Sequence, residues 1–150
     1  MRTLDTILDA IGNTPMVDVS QLSPNPDVRI LGKMEGQNPG GSVKDRAAKA
    51  MVEAAERDGR LQPGMTVLES SSGNTGIALA MICKIKGYPL KIVLPENVSI
   101  ERRQALEVWG TEIISSPAAE GSNGAMVRAQ ALAAEHPDWW FPFQYGNDAN

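Results

Sequence analysis

From residue 65 onward, short apolar runs alternate with longer amphipathic ones, and this alternation limits the possible folds more than any other feature of the chain. Runs at 65–69, 90–94 and 112–115 are four or five residues long, mostly apolar, and start a little over twenty residues apart. Helix-length segments fill the intervals at 75–86, 99–109 and 122–134. Gly87 and Gly110 stand where the first two should stop, since glycine takes the left-handed conformation that ends a helix. Strand, helix and strand repeated in this way imply right-handed βαβ units on a parallel sheet. Val67-Leu68 and Ile92-Val93-Leu94 are unbroken hydrophobes, as a sheet covered on both faces requires. The expectation is an α/β fold, a three-layer parallel sheet with helices on both faces, with a last strand over 139–143. Met126, Val127, Ala129, Leu132 and Ala133 read as the core face of the final helix.

The first part of the chain is less regular. Leu4, Ile7, Leu8 and Ile11 recur at helical spacing up to Gly12, which predicts a short helix. Strands are expected at 16–19 and 28–35. Nothing in the later pattern pairs with them, so they should be left largely without sheet partners. The second leads into Asn38-Pro39-Gly40-Gly41-Ser42-Val43-Lys44-Asp45-Arg46 and then a helix with Ala47, Ala48, Met51, Val52 and Ala55 on one side, ending at Gly59. Ser42 is the expected N-cap, and Asp45 three positions on completes a capping box with aspartate in the usual glutamate place. Lys44 falls in the first turn, where the helix end disfavours a cation by about 0.3–1 kcal/mol. On these residues alone Lys44 is either a Schiff-base amine or a surface lysine reaching into solvent.

A second polar stretch, Glu69-Ser70-Ser71-Ser72-Gly73-Asn74-Thr75-Gly76, follows the strand at 65–69 and opens the helix at 75–86. Free N–H groups at a helix start, joined by hydroxyls and the Asn74 amide, suit a carboxylate or phosphate. More hydrogen-bonding groups converge here than a cap needs. In open α/β sheets ligands bind beyond the carboxyl ends of strands; this loop leaves the sheet at that end, as does the region of Gln144.

These two stretches, together with Ile11-Gly12-Asn13-Thr14-Pro15, Pro95-Glu96-Asn97-Val98-Ser99-Ile100-Glu101-Arg102-Arg103 and Phe143-Gln144-Tyr145-Gly146-Asn147, resemble the cysteine synthase group of the fold-type-II pyridoxal-phosphate enzymes. The wording of the later segments is similar to B-type enzymes, some of which use O-phosphoserine. The resemblance implies pyridoxal 5'-phosphate as cofactor, bound as a Schiff base to Lys44, which then acts as the base for the α-proton. It implies that Asn74 contacts the cofactor's ring hydroxyl and that Ser71, Ser72, Asn74, Thr75 and Gln144 hold the amino-acid carboxylate. The family pattern often has Thr where this chain has Ser71, and the hydroxyl is kept. The implied reaction is β-replacement through an aminoacrylate, giving L-cysteine from O-acetylserine or O-phosphoserine and a small sulfur donor or a sulfur-carrier protein. A cystathionine β-synthase or a serine/threonine dehydratase-like lyase shares the same motifs, and a catalytically inert fragment or interaction module is the reading from outside enzymology.

The resemblance covers the chain but only about the first half of such an enzyme. Residues 1–40 are expected to belong with a larger cofactor domain that is mostly absent, and 41–150 to form a small α/β domain ending at an apparent truncation at Asn147-Asp148-Ala149-Asn150. The glycine-rich loop for the cofactor phosphate has no counterpart in these residues. A homodimer is implied for the whole enzyme. Composition narrows the alternatives: 42% hydrophobic, 21% charged and a formal charge of −4 argue against nucleic acid as a partner. No apolar run is long enough for a bilayer, and no secretory leader is read over 1–5. A single cysteine, Cys83, and a single histidine, His136, permit neither a disulfide framework nor a Cys/His zinc cluster. The expected compartment is the cytoplasm, and Cys83, inside an apolar helix, reads as core.

Overall fold

The computed structural model describes residues 3–150; Met1 and Arg2, the start of the stretch read as free of a leader, lie outside the described residues. Strands β1 (Met16–Asp18) and β2 (Leu31–Lys33) form an antiparallel pair near the start. Then come α1 (Lys44–Arg57), β3 (Val67–Glu69), α2 (Asn74–Lys86), β4 (Leu90–Pro95), α3 (Ile100–Glu107), β5 (Glu112–Ser116) and α4 (Gly121–Glu135). The main sheet is parallel with order β3-β4-β5. Trp140 extends it beyond β3 by a single parallel bridge, with Leu68 N donating to Trp140 O at 2.9 Å and Trp140 N to Thr66 O at 2.8 Å.

Strand pleating explains the three layers, because alternate side chains point to opposite faces. Val67, Ile92 and Leu94 join Met51 and Val52 of α1, Leu79 and Met81 of α2 and Leu106 of α3 in one core. Leu68 and Val93 point the other way and pack against Ala125, Ala129 and Leu132 of α4. A fully buried Leu, Ile, Val or Met contributes about 1.5–3 kcal/mol, so these two clusters dominate over local propensity. The sheet is thus covered on both faces, as its unbroken hydrophobic strands require. Val127, expected on the core face of α4, is 65% exposed; Ala125 and Ala129, one turn apart, take the inward row instead.

Four other expectations are corrected. The helix over 4–11 shrinks to a 3-10 turn, Ile7–Ala10, because Thr6 and Asp9 close a reciprocal capping box that starts the turn only at residue 7. Of its four apolar residues only Leu8 is buried. The strand over 28–35 survives as β2 alone, since Glu35 turns away into a 3-10 turn, Glu35–Gln37. β1 and β2 are not unpaired: they bond to each other, Met16 opposite Lys33 and Asp18 opposite Leu31, although both remain largely exposed. The strand over 139–143 is reduced to the Trp140 bridge. Cys83 is core as expected, and burial pushes its thiol up to about 12.

Candidate active site

A cavity of about 390 Å³ opens at the carboxyl end of the parallel sheet, within the roughly 300–1,000 Å³ typical of small-molecule sites. Lys44 enters from the start of α1, residues 70–75 form one wall, and Gln144 closes another. Ser122 and Met126 of α4 and Tyr145 complete the lining. Lys44 is the only charged lining side chain among the described residues.

The 70–75 wall is built so that its internal bonds leave donors over. Ser71 Oγ accepts from Gly73 N at 3.4 Å and Gly76 N at 3.2 Å, which keeps the hydroxyl proton of Ser71 free to be donated. A Cβ on Gly76 would run into the Ser71 carbonyl, so the loop can fold over α2 in this way only with glycine there. The start of α2 has no side-chain cap from its Gly73 N-cap, and within the helix the N–H groups of its first residues have no carbonyl partner. Thr75 Oγ1 donates to Gln144 Oε1 at 2.8 Å, a buried bond across 69 residues. Behind the loop, the fully buried Glu69 accepts from Ser70 N at 2.8 Å and Gln144 N at 3.3 Å. Loss of solvent pushes Glu69 up to about 7, against the pull of those two N–H groups.

Lys44 is half-buried at the first position of α1, and its approach is braced by two carboxylates. Ser42 Oγ accepts from Lys44 N at 3.1 Å, but the expected capping box does not close: Asp45 instead reaches back to Gly40 N at 2.5 Å. Gly41, at φ +80, supplies the left-handed turn between them. Asp45 is fully buried, its carboxyl is pushed up by desolvation, and its Oδ1 has no partner among the described residues. On the other side of the helix start, Arg46 makes a two-pronged contact with Glu35 at 2.7 and 3.0 Å. Thr14 donates to Glu35 at 2.7 Å, and Asn38 donates to it at 2.9 Å while accepting from Gly12 N at 2.8 Å. The Arg46 and Thr14 bonds hold the Glu35 carboxyl down at about 2.

All six residues singled out in the sequence, Lys44, Ser71, Ser72, Asn74, Thr75 and Gln144, line this one cavity. Sequence reasoning missed Ser122, Met126 and Tyr145, and took Met126 for core. It also missed Glu69 and the Glu35–Arg46 pair. Glu69 left a signal: a carboxylate continuing an apolar strand in a doubly covered sheet has to be buried.

A family model described as pyridoxal-phosphate dependent enzyme matches residues 7–150. The chain belongs to that family. A cysteine synthase of Flavobacterium is 48% identical over 143 residues, 95% of this chain and 46% of that protein. One from Staphylococcus aureus is 44% identical over 149 residues, 99% of this chain and 48% of that protein. The chain therefore spans about half the length of the curated relatives it matches. Among solved structures, cysteine synthase of Entamoeba histolytica superposes with a TM-score of 0.92 at 38% identity, covering 97% of this chain and 45% of that one. O-ureido-L-serine synthase gives 0.90 at 39%, covering 99% and 46%. The cavity's donor set fits the family's cofactor: a primary amine that can react with an aldehyde, an amide for a ring oxygen, and hydroxyls with open N–H groups for an anion. Among the described residues no helix is long and apolar enough to cross a membrane.

Proposed function

We propose that this chain contributes the amino-acid half of a pyridoxal-phosphate-dependent active site that makes L-cysteine by β-replacement on a serine carrying an activated β-oxygen. The observation that carries the reading is the convergence of the Lys44 amine, the 70–75 loop and Gln144 on one cavity. Pyridoxal phosphate, when bound, supplies an electron-withdrawing ring that stabilises negative charge at the substrate α-carbon. Lys44 Nζ is the amine that would hold the cofactor, and it is placed to accept the substrate α-proton. Asn74 would hold the cofactor's ring hydroxyl. Ser71, Ser72, Thr75 and Gln144, with the open N–H groups of α2, hold the substrate carboxylate and so aim the Cα–H bond at Lys44. Over the whole reaction the β-carbon loses its C–O bond to acetate or phosphate and gains a C–S bond from a sulfur donor.

The relatives' names support this order of preference. Three of those reported are cysteine synthases, and a structure from Helicobacter pylori, 36% identical, is an O-acetylserine dependent cystathionine beta-synthase. O-acetylserine is accordingly the proposed substrate, O-phosphoserine the alternative leaving-group variant, and sulfide the proposed nucleophile ahead of a larger thiol. A cytoplasmic homodimer is the proposed setting, with residues 1–40 packing on a cofactor domain and 41–150 forming the small substrate domain. Borohydride reduction of the holoenzyme, digestion and peptide mass analysis test the reading. The reduced cofactor is expected on the peptide containing Lys44, and its recovery on another lysine would overturn the assignment.

A further inference from the structure

Glu69 ends β3, a strand whose other residues are apolar and fully buried. An ionisable group there is costly unless it holds donors. The two it holds are its chain neighbour's, Ser70 N, and one from a segment 75 positions from Glu69, Gln144 N. Ser70 and Gln144 both line the cavity, whereas Glu69 stands behind them with no exposed surface. The segment carrying Gln144 is folded on itself by local bonds, Gly146 N to Phe143 O at 2.9 Å, Asn147 Nδ2 to Pro142 O at 2.8 Å and Asn150 Nδ2 to Gln144 O at 2.7 Å. Phe143, just before it, sits at φ 47, a left-handed conformation that a non-glycine residue keeps only where its surroundings impose it. Those local bonds shape the turn but do not place it against the opposite wall; two others do, Thr75 Oγ1 to the Gln144 side chain and Glu69 to the Gln144 backbone. The Thr75 tie uses groups that a ligand could compete for, while the Glu69 tie lies out of a ligand's reach.

We propose that Glu69 is a positioning residue for substrate binding, its carboxylate holding the Gln144 backbone against the 70–75 loop and so setting the gap in which the amino-acid carboxylate is gripped. The inference rests on the reading of that loop as the carboxylate site. A side chain that merely filled the core would be replaceable by one of equal size. Glutamine has that size, but it presents an NH₂ group to one of two N–H donors, so a donor faces a donor and one tie is lost.

The test compares Glu69→Gln with the parent holoenzyme. The Gln144 amide is expected to exchange with solvent at least about tenfold faster, with amides of β4 unchanged. KM for O-acetylserine should rise about tenfold or more, with kcat within about threefold and cofactor retention after dialysis unaffected; losing one buried hydrogen bond of this kind typically costs that much. An unchanged Gln144 exchange rate, or an unchanged KM despite faster exchange, overturns the proposal. Ser72→Ala, measured beside it, separates this inference from the reading beneath it. If Ser72→Ala raises KM and Glu69→Gln does not, the Glu69 inference alone fails; if neither does, the carboxylate assignment fails with it. Should Glu69→Gln not fold, Glu69→Asp, which draws the acceptors back by one methylene, carries the same comparison.

Discussion

The burial of Glu69 has a consequence for stability that runs opposite to the common behaviour of carboxylates. Its carboxyl titrates near 7 in the folded protein against an ordinary 4.5, with desolvation the leading cause. Below pH 4.5 the group is protonated in both folded and unfolded chains and contributes no difference. Between 4.5 and 7 the folded chain keeps a proton that the unfolded chain has released, so stability falls as pH rises. Above 7 the loss is complete at about 3 kcal/mol, from 1.36 kcal/mol for each unit of displacement. Glu69→Gln removes the titration while keeping the volume. The assay is urea unfolding followed by circular dichroism at pH 5 and pH 8. Subtracting parent from variant cancels the other ionisable groups, including Glu35, whose own window lies below 4.5 because it is held down at about 2. The difference should move toward the variant by about 2–3 kcal/mol between the two pH values. A difference constant to within about 0.5 kcal/mol would refute the argument, because it would mean that Glu69 reaches solvent or a cation and is not desolvated behind the loop.

Three further outcomes follow from the site geometry. Gly76→Ala gains about 1 kcal/mol of helix propensity, but its Cβ meets the Ser71 carbonyl, and overpacking against backbone costs about 1–3 kcal/mol; a lower melting temperature and a raised KM for the amino acid are expected, and an unchanged KM would count against the loop as its binding site. Lys44→Ala should lower turnover by at least about 10²-fold, the usual contribution of a proton-transferring group, with little change in the unfolding midpoint. Arg46→Ala removes the main group holding Glu35 down, so the stability that Glu35 provides above pH 4.5, and that the parent loses as pH falls toward 2, should be smaller in the variant; parent and variant unfolding curves that stay parallel from pH 5 to pH 2 would count against the pair.

The βαβ half of the chain was legible because each strand-length apolar run is followed by a helix, the first two with a glycine stop; β3 falls within its expected run, and β4 and β5 outrun theirs by one residue each. Local periodicity misled where tertiary bonds decide. Leu4, Ile7, Leu8 and Ile11 have helical spacing, but the Thr6–Asp9 box leaves room for one turn. The run at 28–35 is cut short because Glu35 is drawn off by Arg46 and Thr14. The six candidate residues were legible as two motifs and a glutamine, because loops at the carboxyl ends of parallel strands converge. What holds them was not legible, since those contacts join residues 11, 21, 26, 69 and 75 positions apart, and no periodicity records such pairings.

These contacts share one physical solution. A loop that binds an anion has to leave its N–H groups unpaired on the ligand side, so it cannot be stiffened by bonding its own backbone there. Each loop of this site is stiffened from behind by a carboxylate. Asp45 takes Gly40 N ahead of Lys44; Glu35 takes Thr14, Asn38 and Arg46, and Asn38 in turn takes Gly12 N; Glu69 takes Ser70 N and Gln144 N. Carboxylates suit the task because each oxygen accepts more than one bond and neither donates. Their environments then divide them: Glu35, with a guanidinium beside it, is held ionised, whereas Asp45 and Glu69 are pushed up by desolvation. The bracing around Arg46 is therefore insensitive to pH near neutrality. The tie between the two walls of the proposed carboxylate site is the one whose protonation lies close to neutrality.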